Sequence, residues 1–278
     1  MSYKTIVVLI DRAWRVEQLE VAFALAADMD AHLVGLYAVR TPGIPSFALA
    51  EAASVAVKLQ ELQRADRAAR EDAARKAFEA AAKHSGHAKH EWRVTRADAL
   101  MAVAQSARYA DLIIAAQPQP KADEAGNPPE SHSTLALVAG RPVLHVPYVG
   151  RFAHLARRVM VAWSATRESA RAVTDSLPLL RQAESVRVVV FNPGSEHGEQ
   201  PGADVALYLA RHGVKVAVVQ RKNTEVGIGE LILSDAADDN ADLIVMGAYG
   251  HSRIRELVLG GATRTVLESM TVPVLMSH

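Results

Sequence analysis

Short unbroken apolar runs alternate with longer helical patterns along the whole chain. In the first half the apolar runs predict strands near 4–10, 32–39, 89–95, 111–115 and 142–146, among them TIVVLID, DLII and PVLHV. Runs without polar alternation fit strands buried on both faces of a parallel sheet. Helical spacing predicts helices near 16–29, 47–83, 98–108 and 131–139. The second half repeats the order, with strands near 157–163, 186–191, 214–220, 242–246 and 273–277. Its helices fall near 167–182, 200–211, 227–239 and 260–270. Strands that alternate with helices predict an α/β fold built from parallel units.

The two halves are one unit used twice. DLII from Asp111 and DLIV from Asp242 stand 131 residues apart, as do Pro142 and Pro273 in the strands that follow. The first strands end at Asp11 and Ser164, an offset of 153. The first half must therefore hold 22 extra residues between these points. They fall in its second helix, where Val55, Leu59, Leu62, Ala69 and Phe78 keep roughly helical spacing. Such a helix could reach about 50 Å. Two forms fit: a rod packed across the partner domain, or a helix broken near Arg64–Arg70 with an exposed polar face. Pro147 and Gly150 punctuate the boundary, giving domains at 1–150 and 151–278.

Bulk numbers narrow the function. The 278 residues suit two domains, and 50% hydrophobic against 5% aromatic predicts aliphatic cores. Residues 1–150 carry 17 Lys+Arg and 17 Asp+Glu, the remainder 14 and 14, so neither half has the basic field of a nucleic-acid binder. The sequence has no cysteine, which excludes disulfides and Cys-based zinc sites. MSYKTIVVLIDRAW has too short an apolar run for a signal peptide, and no run approaches a membrane span. A cytoplasmic chain without membrane or nucleic-acid partners is the expectation.

The chemistry concentrates in MGAYGHSRIRELVLGGATRT, from Met246. Gly247 and Gly250 follow an apolar strand, and Gly260 and Gly261 open a helix. Glycine allows close backbone approach, and a helix start offers unpaired N–H groups and partial positive charge to an anion. Arg253, Arg255 and Arg264 lie in the same segment. The bland alternative is a strand-to-helix turn whose glycines only permit packing.

The spacing Gly-x2-Gly-x9-Gly, between the ADLIVM and VPVL strands, resembles the universal stress protein family. Its ATP-binding branch carries Gly-x2-Gly-x9-Gly-(Ser/Thr); Gly247, Gly250 and Gly260 match, while Gly261 stands where Ser or Thr is expected. The resemblance implies two tandem five-stranded parallel-sheet α/β domains, Rossmann-like and akin to adenine nucleotide alpha hydrolases. It implies ATP, with or without magnesium, bound by the second domain only. Ala162, Trp163 and Ser164 would line the base side. Met246, Gly247, Gly250, His251, Ser252, Arg253, Gly260, Gly261, Ala262 and Thr263 would line the phosphate side. It further implies a stress-response role and pairing through the last strand of each half, which yields an intramolecular pseudo-dimer and leaves a homodimer of chains open. The alternative is a dimerisation scaffold of the same fold that binds no nucleotide.

The first half departs from that pattern. At offset 131 its loop has Ala116, Gln119, Pro129 and Glu130 in place of Gly247, Gly250, Gly260 and Gly261. Proline lacks a donor and a carboxylate repels phosphate, so residues 1–150 are expected to bind no nucleoside triphosphate. Asp11 occupies the place where the family uses an Asp at the adenine edge, whereas the second half has Ser164. Asp11 fits a helix N-cap as well as that role, and Ser164, in SATRE with Arg167 and Glu168 following, fits an N-cap better. His84, His87 and His90 fit a solvated helix end better than a metal site. His251 faces ligand or solvent, and Trp163 fits the pocket or the core. GxSxG, Walker, HExxH and GxGxxG motifs are absent, so turnover chemistry is not expected beyond slow, incidental ATP hydrolysis.

Overall fold

The computed structural model describes residues 2–39, 53–117, 134–152, 154–194, 199–250 and 261–278. The first half contains β1 (Thr5–Ile10), α1 (Val16–Met29), β2 (His32–Ala38), α2 (Ala53–Ser85), β3 (His90–Thr95), α3 (Ala99–Ser106), β4 (Leu112–Ala116), α4 (Leu135–Ala139) and β5 (Val143–Val146). The second half contains β6 (Arg158–Trp163), α5 (Arg167–Leu180), β7 (Ser185–Phe191), α6 (Ala203–Arg211), β8 (Val216–Arg221), α7 (Ile228–Asp238), β9 (Leu243–Gly247), α8 (Gly261–Ser269) and β10 (Val274–Ser277). Every strand expected from the apolar runs is present. The α/β architecture of two like units holds, and the units share one sheet.

That sheet has ten strands in the order β3-β2-β1-β4-β5-β10-β9-β6-β7-β8. Pairing within each half is parallel, and the halves meet where β5 and β10 run antiparallel, Leu144 opposite Leu275. The last strand of each half is the edge of its own unit, and the two edges pair with each other, as expected of an intramolecular pseudo-dimer; the outer edges of the joined sheet are β3 and β8. Successive strand residues feed opposite faces. Ile6, Val8 and Ile10 join a core covered by α1, α2, α5 and α6. Val7 and Leu9 join the other core, under α3, α4, α7 and α8.

The repeat extends to single hydrogen bonds. Asp111 Oδ2 accepts from the backbone N–H groups of Lys4 and Thr5 at 2.7 and 3.0 Å. Asp242 accepts from Arg157 and Arg158, both at 3.0 Å. These aspartates stitch the fourth strand of each unit to the start of its first. Burial raises the Asp242 pKa beyond what its backbone bonds offset.

The long helix α2 is continuous over 33 residues, with no break at Arg64–Arg70. Among the described residues its main helix contact is with α1 of its own half. Ala74, Phe78 and Ala82 are buried, while Leu62 is 61% exposed. Gly35 on β2 makes room for the Phe78 ring, since a Cβ there would approach it to 2.7 Å. Asp66–Arg70, Asp72–Lys76 and Arg75–Glu79 pairs lace the solvated side at i,i+4 spacing. The helix ends at Ser85, and Gly86 follows at φ 67°. His87 Nε2 lies 2.8 Å from the Ala31 carbonyl, His90 packs edge-on against Phe78, and His84 is exposed. The three histidines do not converge.

Candidate functional site

A cavity of about 280 Å³ opens at the carboxyl ends of β6, β7 and β9. This is the second unit's switch point, where β6 leads one way to β7 and β9 lies on its other side; ligands of open α/β sheets settle in this crevice. Ala162, Trp163 and Ser164 line it from the end of β6, and Met246, Gly247 and Gly250 from the end of β9. Gly261, Ala262 and Thr263 line it from the first turn of α8. Nine residues expected from sequence therefore meet around one space. His251, Ser252, Arg253 and Gly260 lie outside the described residues, as do Arg255 and, in the first half, Gln119, Pro129 and Glu130.

The three described glycines differ in what they permit. At Gly247 a Cβ would sit 2.6 Å from Ser169 N and 2.7 Å from the Glu168 carbonyl carbon. Gly247 thus lets the first turn of α5 press against the end of β9, which is a packing role. At Gly250 a Cβ would come within 3.1 Å of Thr166 Oγ1 and 3.2 Å of Glu168 Oε2. At Gly261 a Cβ would meet nothing within 4 Å. Only this last glycine faces open space.

Polar groups around the cavity are partly committed. Thr263 is buried, and its Oγ1 accepts from Tyr249 N at 3.3 Å, which ties the start of the glycine loop to α8. Ser164 was a candidate N-cap. The cap is Thr166 instead, which forms a capping box with Ser169. Ser164 stays exposed, its Oγ 3.2 Å from Thr166 Oγ1. Trp163 both lines the cavity and packs against the adjoining core, so its two readings coexist. Asp11 is not an N-cap either, because Arg15 holds that place without a side-chain bond. Asp11 is 3% exposed and Oδ1 accepts from Ala13 N at 2.8 Å, a local Asx turn.

Six lining residues escaped sequence reading: Thr166, Phe191, Asn192, Ile228, Ile232 and Tyr249. Phe191 and Asn192 were traceable, since Phe191 ends β7 and Asn192 follows it, at the same carboxyl end of the sheet as Trp163. Ile228 and Ile232 come from the start of α7, drawn close by Gly229, where a Cβ would lie 2.6 Å from Thr265 Cβ. No sequence spacing signalled that crossing.

Among the described residues, the carboxylate of Glu168 stands behind Gly247 and Gly250. Glu168 is 3% exposed and pairs with the Arg167 guanidinium. Burial alone would raise its pKa, but bonds from Arg167, its own backbone N–H and Thr166 outweigh that and hold it below the ordinary carboxylate range. Among the described lining residues there is no lysine or arginine. The positive potential they bring to the cavity comes from the N-terminal amides of α8.

Residues 156–278 match the universal stress protein family. A universal stress protein of Synechocystis sp. is 51% identical over 51 residues, a stretch covering 18% of this chain and 18% of that protein. Among solved structures, a universal stress protein from Archaeoglobus fulgidus aligns at TM-score 0.68 and 16% identity, over 98% of this chain and 95% of that one. A functionally unknown protein from Pseudomonas aeruginosa aligns at 0.58 and 16%, over 99% and 92%. The cytoplasmic domain of a prokaryotic cation chloride cotransporter aligns at 0.51 and 10%, over 98% and 94%. At such identities these structures establish the fold alone, and a fold shared with a transporter domain carries no function by itself. Residues 156–278 are thus a domain of the universal stress protein family.

Proposed function

We propose that the second domain binds ATP or a related adenine nucleotide, with or without magnesium, and that the chain acts as a nucleotide-gated interaction module in stress response. The carrying observation is the cavity at the switch point, with the glycine backbone of β9 on one side and the open first turn of α8 on the other. The base lies against Ala162, Trp163 and Ser164. The phosphates face Gly247, Gly250 and Gly261, where amides and the helix dipole favour negative charge. The role so proposed is binding rather than turnover, with at most slow incidental ATP hydrolysis.

A second reading, a scaffold that binds no nucleotide, draws on Glu168. Its buried carboxylate lies within hydrogen-bond reach of the space over Gly250, and a phosphate placed there meets a fixed like charge. Thermal unfolding with and without Mg-ATP separates the two. Ligand at about 100 times its dissociation constant adds about 2.7 kcal/mol, a shift of roughly 5 °C or more for a chain of this size. A melting curve indifferent to millimolar Mg-ATP overturns the nucleotide reading and leaves the scaffold.

A further inference from the structure

The helices α4 and α8 occupy equivalent places in the two units, and each has its C-terminal end tied by a side chain from the other unit. Arg171 of α5 donates from Nη2 to the Gly140 carbonyl just past α4, at 2.6 Å. Gln117, which follows β4, donates from Nε2 to the carbonyls of Leu267 and Glu268 in the last turn of α8, at 2.8 and 3.2 Å. Those carbonyls are among the four that a helix end leaves without intrahelical partners.

Gln117 is built for this contact. It is 1% exposed, its Oε1 accepts from Tyr148 N at 3.2 Å, and its own N–H donates to the Val146 carbonyl at 2.7 Å. Both ends of the side-chain amide are committed, which fixes its orientation. Position 117 corresponds at offset 131 to Ala248, the residue after Gly247. Where the second unit turns its chain toward the cavity, the first unit turns a glutamine across the domain boundary.

The helix so held has nine residues, about 13 Å from end to end, and its other end supplies Gly261, Ala262 and Thr263 to the cavity wall. A short helix packed on a dense core moves as a rod. We propose that Gln117 is a positioning residue for the phosphate side of the cavity: by holding the far end of α8, the first unit sets where the Gly261 turn stands. This rests on the nucleotide reading above. The first unit is then a brace for its neighbour's site as well as a copy without its own phosphate glycines.

The test compares wild type with Gln117→Met, which keeps the volume and removes the donors and the acceptor. A second variant, Gln117→Glu, turns oxygen toward the two carbonyls. Arg171→Ala, which releases α4 instead, is the control. Calorimetric titration with Mg-ATP and with adenosine is paired with amide hydrogen exchange of α8 in ligand-free protein. Expected are an approximately tenfold loss of Mg-ATP affinity in Gln117→Met, a larger one in Gln117→Glu, and adenosine affinity within twofold of wild type. Exchange across Ala262–Ser269 rises in both variants and not in Arg171→Ala. Equal weakening of ATP and adenosine, or unchanged α8 exchange, overturns the proposal. Should wild type bind neither ligand, the nucleotide reading fails on its own. The exchange arm then decides whether Gln117 holds the helix.

Discussion

Gly261 offers the sharpest single perturbation. It stands where the ATP-binding pattern of the family carries Ser or Thr, and a Cβ added there meets no atom within 4 Å. Gly261→Ser therefore supplies a hydroxyl at the first residue of α8 without steric cost, and replacing glycine stabilises a helix position by up to about 0.5 kcal/mol. A hydrogen bond to a charged phosphate oxygen contributes about 1.5–3 kcal/mol after exchange with water. Ordering the serine rotamer takes back part of this. A net gain of about 1.4 kcal/mol corresponds to tenfold tighter binding. Trp163 lines the cavity, so its fluorescence reports occupancy directly during Mg-ATP titration of wild type, Gly261→Ser and Gly261→Ala. The expected order is Ser tighter than wild type by roughly tenfold, with Ala within twofold of wild type. If Gly261→Ser binds no better while its melting temperature is unchanged, the phosphates do not lie at the first turn of α8.

Two further substitutions test the frame around the site. Gly247→Ala forces a methyl against the backbone of Glu168 and Ser169, which cannot yield, and should lower stability by about 1–3 kcal/mol with or without nucleotide; urea unfolding reads it, and a neutral result would move Gly247 from a packing role to a purely ligand-facing one. Asp235 bridges Arg187 at 2.8 Å and Arg221 at 2.6 Å under α7, and although burial raises its pKa those guanidinium bonds prevail and lower it. Its contribution is thus present above the unfolded value of 3.8 and is lost as pH falls through the lower folded value. Asp235→Asn should cost about 1.5–3 kcal/mol at pH 7, with the gap to wild type closing below about pH 4; a gap that persists at pH 2 would show that shape, not charge, holds α7.

The sequence made the strands legible because parallel strands buried on both faces are written as unbroken apolar runs. Leu112–Ala116 and Leu243–Gly247 illustrate this. The cavity was legible from β6, β9 and α8, where glycine spacing and strand ends coincide. It was not legible from α7, because Ile228 and Ile232 reach the cavity through a helix crossing that depends on Gly229 against Thr265. The caps misled for a related reason. Ser164 and Asp11 are the residue types that start helices, yet each lies before a turn, and the helices begin at Arg167 and Val16. Gln117 gave no local signal at all, since its partners lie 150 and 151 residues away.

The antiparallel seam between β5 and β10 changes what dilution can do to this molecule. Two separate copies joined along such strands come apart below some concentration, whereas here the joined copies are one polypeptide and share a fixed effective concentration. The pairing survives at any protein level, and the central strands are no longer on offer to a third copy. Any association between chains has to be made elsewhere on the surface.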